Sequence, residues 1–323
     1  MAGKKETPDV PQDEMAILES MTPKNEPAPE VQKPSLGVVD TSPKYSRDER
    51  LNQLQWIEVN KNIMNYKALF YPENWVFKCR AALGAEIANF STIDNEDPLS
   101  VNDGINELLK TCCRIEKNDI PLSYKNLYEF DRLWFVMFIR DLTMVNQEQK
   151  IHYEVSCEYC RESNDVTLSY DNLETREMTD IAKKYYSQEE NAFMVQTVSF
   201  GVMRFQPSTI FRAELFKEWM LEQAHHRQKP NAMFVKLFWM LVDSTNEREK
   251  DVVKKAYEKY IAISNNQKLL SLYLKLNTEL QVGLTENLVY RCEHCEKEAH
   301  TEIQFPDGIS NLLIMSDISS ELL

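Results

Sequence analysis

Glycine is scarce in this chain. Seven in 323 residues leave little material for the phosphate-cradling loops of nucleotide-binding proteins, and neither G-x-x-x-x-G-K-[ST] nor G-x-G-x-x-G occurs. H-E-x-x-H and G-x-S-x-G are also absent, so the usual zinc-protease and serine-hydrolase arrangements are excluded and no candidate nucleophile stands out. Positive charge is short as well: 37 Lys and Arg face 51 Asp and Glu, a net charge of −14. No apolar run approaches the roughly 18 residues that a membrane span requires, and one of the longest, Met233 to Val242, is interrupted by Lys236. The first residues lack the apolar core of a secretory signal and carry acidic residues that a transit peptide avoids, so a cytosol-like compartment is expected.

What is present is enough to build a core. Hydrophobic residues make up 43% and aromatics 10%, which excludes wholesale disorder, and the length allows about two domains. Seven of the 13 prolines fall within residues 1–50, where Tyr45 is the only aromatic. That stretch cannot bury enough to offset its ordering entropy, and a disordered Pro-rich arm is expected there. Its ten acidic and seven basic residues hold −3 of the −14, so the acidity belongs to the remaining part.

Residues 51–150 read as a helical N-terminal part. Leu51, Leu54, Ile57 and Ile63 recur at mostly helical intervals between Asp48 and Phe70. Ile105, Leu108, Leu109 and Cys112 mark a short helix after the loop Asp94 to Pro98. Leu127, Phe130, Leu133, Trp134, Met137, Phe138 and Leu142 fall on one helical face, with Asp131, Arg132 and Arg140 outside it. The period then changes. Ile151, Tyr153 and Val155 alternate with polar residues on the way to Cys157-Glu158-Tyr159-Cys160, and Val166, Leu168 and Tyr170 alternate beyond, which predicts a β-hairpin with the cysteines at its tip. Residues 174–286 read as an inserted, mainly helical domain, interrupted by an extended piece from Met194 to Phe205. In it, Phe234 to Val242 is nearly apolar all round and is expected to be central.

A second hairpin carries Cys292-Glu293-His294-Cys295 and repeats the first. Counting from each leading cysteine, Val166 and Thr301 stand at +9, Leu168 and Ile303 at +11, Tyr170 and Phe305 at +13. Each hairpin offers two thiols, whereas a closed tetrahedral metal site needs four ligands. Cys157, Cys160, Cys292 and Cys295 are therefore the expected ligand set. It forms a two-part ribbon, residues 151–173 and 287–310, with 131 residues between its inner cysteines. Structural zinc is the expected ion, with a rubredoxin-like iron site or unmetallated thiols as alternatives. A thioredoxin-like redox pair would sit at a strand-to-helix junction, and both pairs lie between strands. His294 is expected to point away from the ion. Cys79, Cys112 and Cys113 read as small buried hydrophobes. Asp94, Glu96 and Asp97 lack the order of a calcium loop, and His225-His226 reads as a helix end. Around the knuckles, eight carboxylates against three basic residues repel phosphates, so a protein-binding ribbon fits better than a nucleic-acid-binding one. The fold class expected from these features is α+β and mostly helical, with a two-hairpin, four-cysteine zinc ribbon and a helical insertion between its halves.

The order of these segments, from Pro72 through Asp131-Arg132 and Arg140, the first C-x-x-C hairpin ending in Leu168-Ser169-Tyr170, Gly201-Val202-Met203-Arg204-Phe205-Gln206-Pro207-Ser208-Thr209 and the final hairpin with Phe305-Pro306-Asp307, resembles the baseplate hub subunit and hub-assembly family of T-even-like contractile-tailed bacteriophages. The likeness covers roughly residues 65–310. It differs in two respects: the knuckles Cys-Glu-Tyr-Cys-Arg and Cys-Glu-His-Cys-Glu lack the Pro and Gly common in such ribbons, and the N-terminus is longer. The resemblance implies a non-enzymatic structural or assembly protein of the virion tail baseplate, assembled in the host cytoplasm. It also implies hub or wedge subunits as partners and multiple copies in a symmetric assembly. A zinc-ribbon adaptor for transcription machinery or nucleic acid, and a metal-dependent or thiol enzyme, are the competing readings.

Overall fold

The computed structural model describes residues 55–144, 151–198, 201–226, 267–305 and 308–314, with individual helical residues between 253 and 261. The expected arm 1–50 and the apolar run 234–242 lie outside the described residues. The first sheet is antiparallel and joins β1 (Ile57–Glu58), β2 (Trp75–Cys79), β3 (Cys113–Lys117) and β4 (Ile120–Leu122) in that order. Trp75, Phe77 and Cys79 of β2 are buried and alternate with half-buried Val76 and Lys78, the two-residue period of a strand with one face on the core. Asn118 and Asp119 turn β3 into β4 with φ of 49° and 64°, the left-handed pair that a two-residue hairpin turn demands and that these residue types tolerate.

Helices α1 (Gly84–Phe90) and α2 (Pro98–Cys112) cross between β2 and β3. The Asp97 carboxylate caps α2 by accepting the Leu99 N–H at 2.9 Å, and Pro98 occupies its first position, a start signal in both respects. The acidic loop before it is thus spent on turns and a cap, with Asp94 accepting the Glu96 N–H in the same way.

No α-helix forms over the described part of the expected helix from Asp48 to Phe70. Ile57 lies in an edge strand and Ile63 in a 3-10 turn, both exposed. Tyr66, Lys67 and Ala68 adopt φ of 50°, 51° and 56°, through which a right-handed helix cannot continue. For Ile57 and Ile63 the helical spacing was therefore a coincidence, and Leu51 and Leu54 lie outside the described residues.

Helix α3 (Arg132–Thr143) runs through the middle of the core. Every residue from Trp134 to Arg140 is buried, so the one-faced helix of the sequence reading is corrected to one packed all round. Phe135 meets Phe77 of β2, with ring centroids 5.9 Å apart. On another side Trp134 and Phe138 meet Tyr170 at 5.5 and 4.9 Å, which couples the sheet to the exit of the first cysteine hairpin. Asp131 and Arg140, expected outside the apolar stripe, are 0% and 1% exposed. Each is kept inside by hydrogen bonds.

Asp131 accepts from Asn65 Nδ2 at 2.9 Å and from Tyr71 OH at 2.8 Å. Burial pushes its carboxyl up to about 7 against those two bonds. Glu129 also rises to about 7, through burial that Arg132 only partly offsets. An acid whose folded pKa exceeds its unfolded value binds more protons in the native state, so its contribution is complete below about pH 4 and is lost as pH rises through about 7. The parent is therefore expected to lose stability relative to Asp131→Asn between pH 5 and pH 8, by roughly 1–3 kcal/mol; proton release by the metal thiolates is common to both proteins and cancels in the comparison. An equal pH dependence of the two proteins in urea titrations would show that Asp131 does not titrate in this window.

After α3 the chain forms β5 (His152–Ser156) and β6 (Ser163–Thr167), a two-stranded sheet, then β7 (Leu173–Thr175). Helix α4 (Asp180–Tyr185) leads to a sheet of β8 (Tyr186–Ser187), β9 (Ala192–Thr197) and β10 (Gly201–Phe205), in the order β10-β9-β8. Helices α5 (Ile210–His225) and α6 (Gln267–Glu279) precede β11 (Leu284–Arg291) and β12 (Glu298–Glu302), which pair with β7 in the order β12-β11-β7. Four sheets among the described residues make this a mixed α and β protein, and the mostly helical architecture read from the sequence is wrong. The shortest strands explain the error: β1, β4, β7 and β8 are two or three residues long, too brief for alternation to register.

Candidate metal centre

Both cysteine hairpins are built to one plan. Tyr153 of β5 faces Val166 of β6, and Leu288 of β11 faces Thr301 of β12. Cys157 and Cys292 each follow the last residue of the ingoing strand. The Cys157 N–H donates to the Glu162 carbonyl and the Cys292 N–H to the Lys297 carbonyl, both at 2.9 Å. Arg161 and Glu296 then donate back to the carbonyls of Cys157 and Cys292 at 2.9 and 3.0 Å. To close this loop, Arg161 and Glu296 take φ of 64° and 58°, where glycine is the relaxed choice. The missing glycines of the two knuckles are thus replaced by strained residues, and the turn geometry is kept. Both side chains are exposed. Arg161→Gly at saturating metal is expected to raise stability by about 0.5–1 kcal/mol, read as a higher denaturation midpoint. A lower one would show that the turn tolerates arginine without strain.

The knuckles bring four sulfurs together. Cys157 Sγ lies 3.8 Å from Cys295 Sγ and Cys160 Sγ 3.6 Å from Cys292 Sγ, and all four fall within 4.8 Å of one another. Sulfurs about 2.3 Å from a tetrahedral ion stand about 3.8 Å apart, so the spacing suits four metal–thiolate bonds. It is too long for disulfides, and all four cysteines are free. Cys157 and Cys292 are 1% exposed and pack with Ala299 and Tyr290, whereas Cys160 and Cys295 are half-buried. The four cysteines can therefore hold a metal ion.

The thiols do not ionise alike. Burial opposes the Cys292 thiolate, but the N–H groups of Cys295 and His294 and the thiols of Cys160 and Cys295 outweigh it, and the group falls to about 6. At Cys160 the backbone bond at Glu162 favours the thiolate. Burial and the thiols of Cys292, Cys157 and Cys295 act the other way, and the group rises to about 12. The thiolate is thus favoured at Cys292 and disfavoured at Cys160, and a divalent cation would supply the charge that four thiolates require.

Two side chains join the knuckles to each other. Asn164, 4% exposed on β6, donates to the Glu162 carbonyl at 3.0 Å and accepts the Glu293 N–H of the other knuckle at 2.9 Å. The His294 ring is exposed, and its Nε2 lies 3.0 Å from the Ser163 carbonyl oxygen, engaged with the opposite hairpin and not with the sulfurs. Sequence reasoning missed Asn164. The signal was a break in the internal repeat: at +7 the first hairpin has Asn164 and the second Ala299, both buried, and a polar residue at an inward position needs partners. Sequence reasoning also missed β7. It pairs Leu173 and Thr175 with Leu288 and Leu284 of β11, so backbone hydrogen bonds tie the first half of the ribbon to the second independently of any metal.

Among the described residues these cysteines are the one group of His, Cys, Asp or Glu arranged to hold a metal. Cys79, Cys112 and Cys113 are buried elsewhere in the core, and His225 and His226 stand at the end of α5. Acidic groups dominate the ribbon surface, and Lys297 Nζ sits 4.7 Å from the centre of the exposed Tyr159 ring. No helix among the described residues is long and apolar enough to cross a membrane. No family model, curated protein or solved structure matches the chain.

Proposed function

We propose that this chain is a non-catalytic assembly protein of a contractile phage tail baseplate, a hub component or hub-assembly factor, in which a structural zinc ion fastens the two cysteine hairpins. The observation that carries the reading is the set of four sulfurs within 4.8 Å, drawn from hairpins that lie far apart in the sequence. Four protein ligands complete a tetrahedral shell and leave no position for water or substrate. Such a site contributes folding energy, which suits a protein whose work is to hold others in place. The resemblance of the motif order to that of the T-even-like hub family supports the baseplate context. Its partners are neighbouring hub or wedge subunits in a repeated assembly within the virion tail. The carboxylates around the knuckles favour protein contacts over nucleic acid.

The test is chemical cross-linking and mass spectrometry of assembling tails that carry the tagged chain, with metal analysis of the purified protein. Cross-links to baseplate proteins and one zinc per chain are expected. Cross-links to RNA polymerase would support the adaptor reading instead, and a visible thiolate-to-iron absorption would replace zinc with iron.

A further inference from the structure

The three cysteines outside the metal centre are not scattered through the core. Cys79 ends β2 and Cys113 begins β3, and the two are direct partners in the antiparallel register. The Arg80 N–H donates to the Cys112 carbonyl at 3.1 Å. That bond joins the residue after Cys79 to the residue before Cys113, which marks Cys79 and Cys113 as a non-hydrogen-bonded pair. Cα atoms in such a pair are about 4.5 Å apart and their side chains lean together, within the range that a disulfide spans. Both side chains share the buried face with Phe77 and Ile115, at 0% and 4% exposure. Burial and the neighbouring Cys113 thiol both raise the Cys79 thiol, as the strand register places the two side by side.

We infer that Cys79 and Cys113 are a site of covalent modification, closing to a cross-strand disulfide when the chain meets a small-molecule disulfide oxidant. The thiolate of one cysteine attacks the oxidant, for example oxidised glutathione, and releases one glutathione thiol. The second cysteine attacks the resulting mixed disulfide and releases the other. Two electrons pass from the cysteine pair to glutathione, whose two thiols take up the two protons.

Burial disfavours the thiolate, so the reaction waits for the strand end to open. The outer neighbour of Cys79 is Ile57 in the two-residue edge strand β1, a short and peripheral cover of the kind that opens locally at low cost. Cys112 is the competing thiol. It is adjacent to Cys113, however, and neighbouring residues entering a strand project to opposite faces. The disulfide closes the segment 80–112, which carries α1 and α2, and so fixes both helices to the sheet.

The full chain, loaded with zinc to protect the knuckle thiols, is incubated with oxidised glutathione at pH 8 in urea near its unfolding midpoint, returned to buffer, alkylated and digested. Peptides containing Cys79 and Cys113 are expected as one linked species, two hydrogens lighter and separated by reductant. The melting temperature should rise by several degrees. Cys112→Ala should still form the bond and Cys113→Ala should not. A stable glutathione adduct on either cysteine, a bond through Cys112 or a knuckle cysteine, or full alkylation of Cys79 and Cys113 after oxidation would each overturn the assignment.

Discussion

Stripping the metal with a chelator at neutral pH is expected to lower the stability of this protein by at least about 4 kcal/mol, the contribution of a ligand present at a thousand times its dissociation constant. In a chain of this size that corresponds to a fall of about 10 °C in melting temperature. Cys157→Ser and Cys292→Ser should do the same without chelator, because three sulfurs and a hydroxyl hold the ion far less well. His294→Ala removes only the contact to the Ser163 carbonyl and should cost about 1 kcal/mol or less, which separates a ligand from a neighbour. The loss is expected to be local. Leu173 and Thr175 remain paired with β11, and Tyr170 remains packed on Trp134 and Phe138, so hydrogen exchange should accelerate in the knuckles before it does in α3. Identical melting curves with and without chelator would show that the sulfurs hold no structural ion.

Legibility from sequence followed the length over which a pattern repeats. The two cysteine hairpins were readable because spacing, alternation and duplication agreed: the same offsets from Cys157 and Cys292 recur through +13, and the structure brings all four sulfurs together. The first sheet was not readable. Its strands are short, and β2 and β3, which pair along their length, are separated by both α1 and α2, so no local feature announces the pairing. The expected helix reaching Phe70 offered helical spacing, but in its described part the left-handed residues Tyr66 to Ala68 carry no glycine to betray the break. Polar residues misled in a similar way. Asp131 and Arg140 were placed outside the apolar stripe, yet both are buried, against the usual position of charge at the surface. Their partners, Asn65, Tyr71 and the Leu312 carbonyl, come from distant parts of the chain that no helical period can reveal.

Arg140→Ala is expected to destabilise the protein by about 3–5 kcal/mol, the usual cost of removing one member of a buried charged network. Arg140 is 1% exposed, and its Nε donates to the Leu312 carbonyl at 2.9 Å while Nη1 lies 3.4 Å from Asp141 Oδ1. Asp141 in turn accepts from Ser169 Oγ at 2.6 Å and from the Tyr170 N–H at 3.3 Å. One guanidinium thus links α3, the segment bearing the buried Leu312 and Leu313, and the exit of the first cysteine hairpin. Alanine leaves a cavity, an unpaired carbonyl and a carboxylate without its cation, and these losses reinforce one another. Arg140→Met fills much of the volume, and the Ser169 and Tyr170 bonds still satisfy Asp141, so it should recover a substantial part of the loss. Denaturant midpoints of the two variants measure the difference, and hydrogen exchange at Leu312 and Leu313 locates it: both amides should lose protection in Arg140→Ala. A variant within about 0.5 kcal/mol of the parent would mean that water replaces the guanidinium at no cost, and the charge at the centre of this core would then need another explanation.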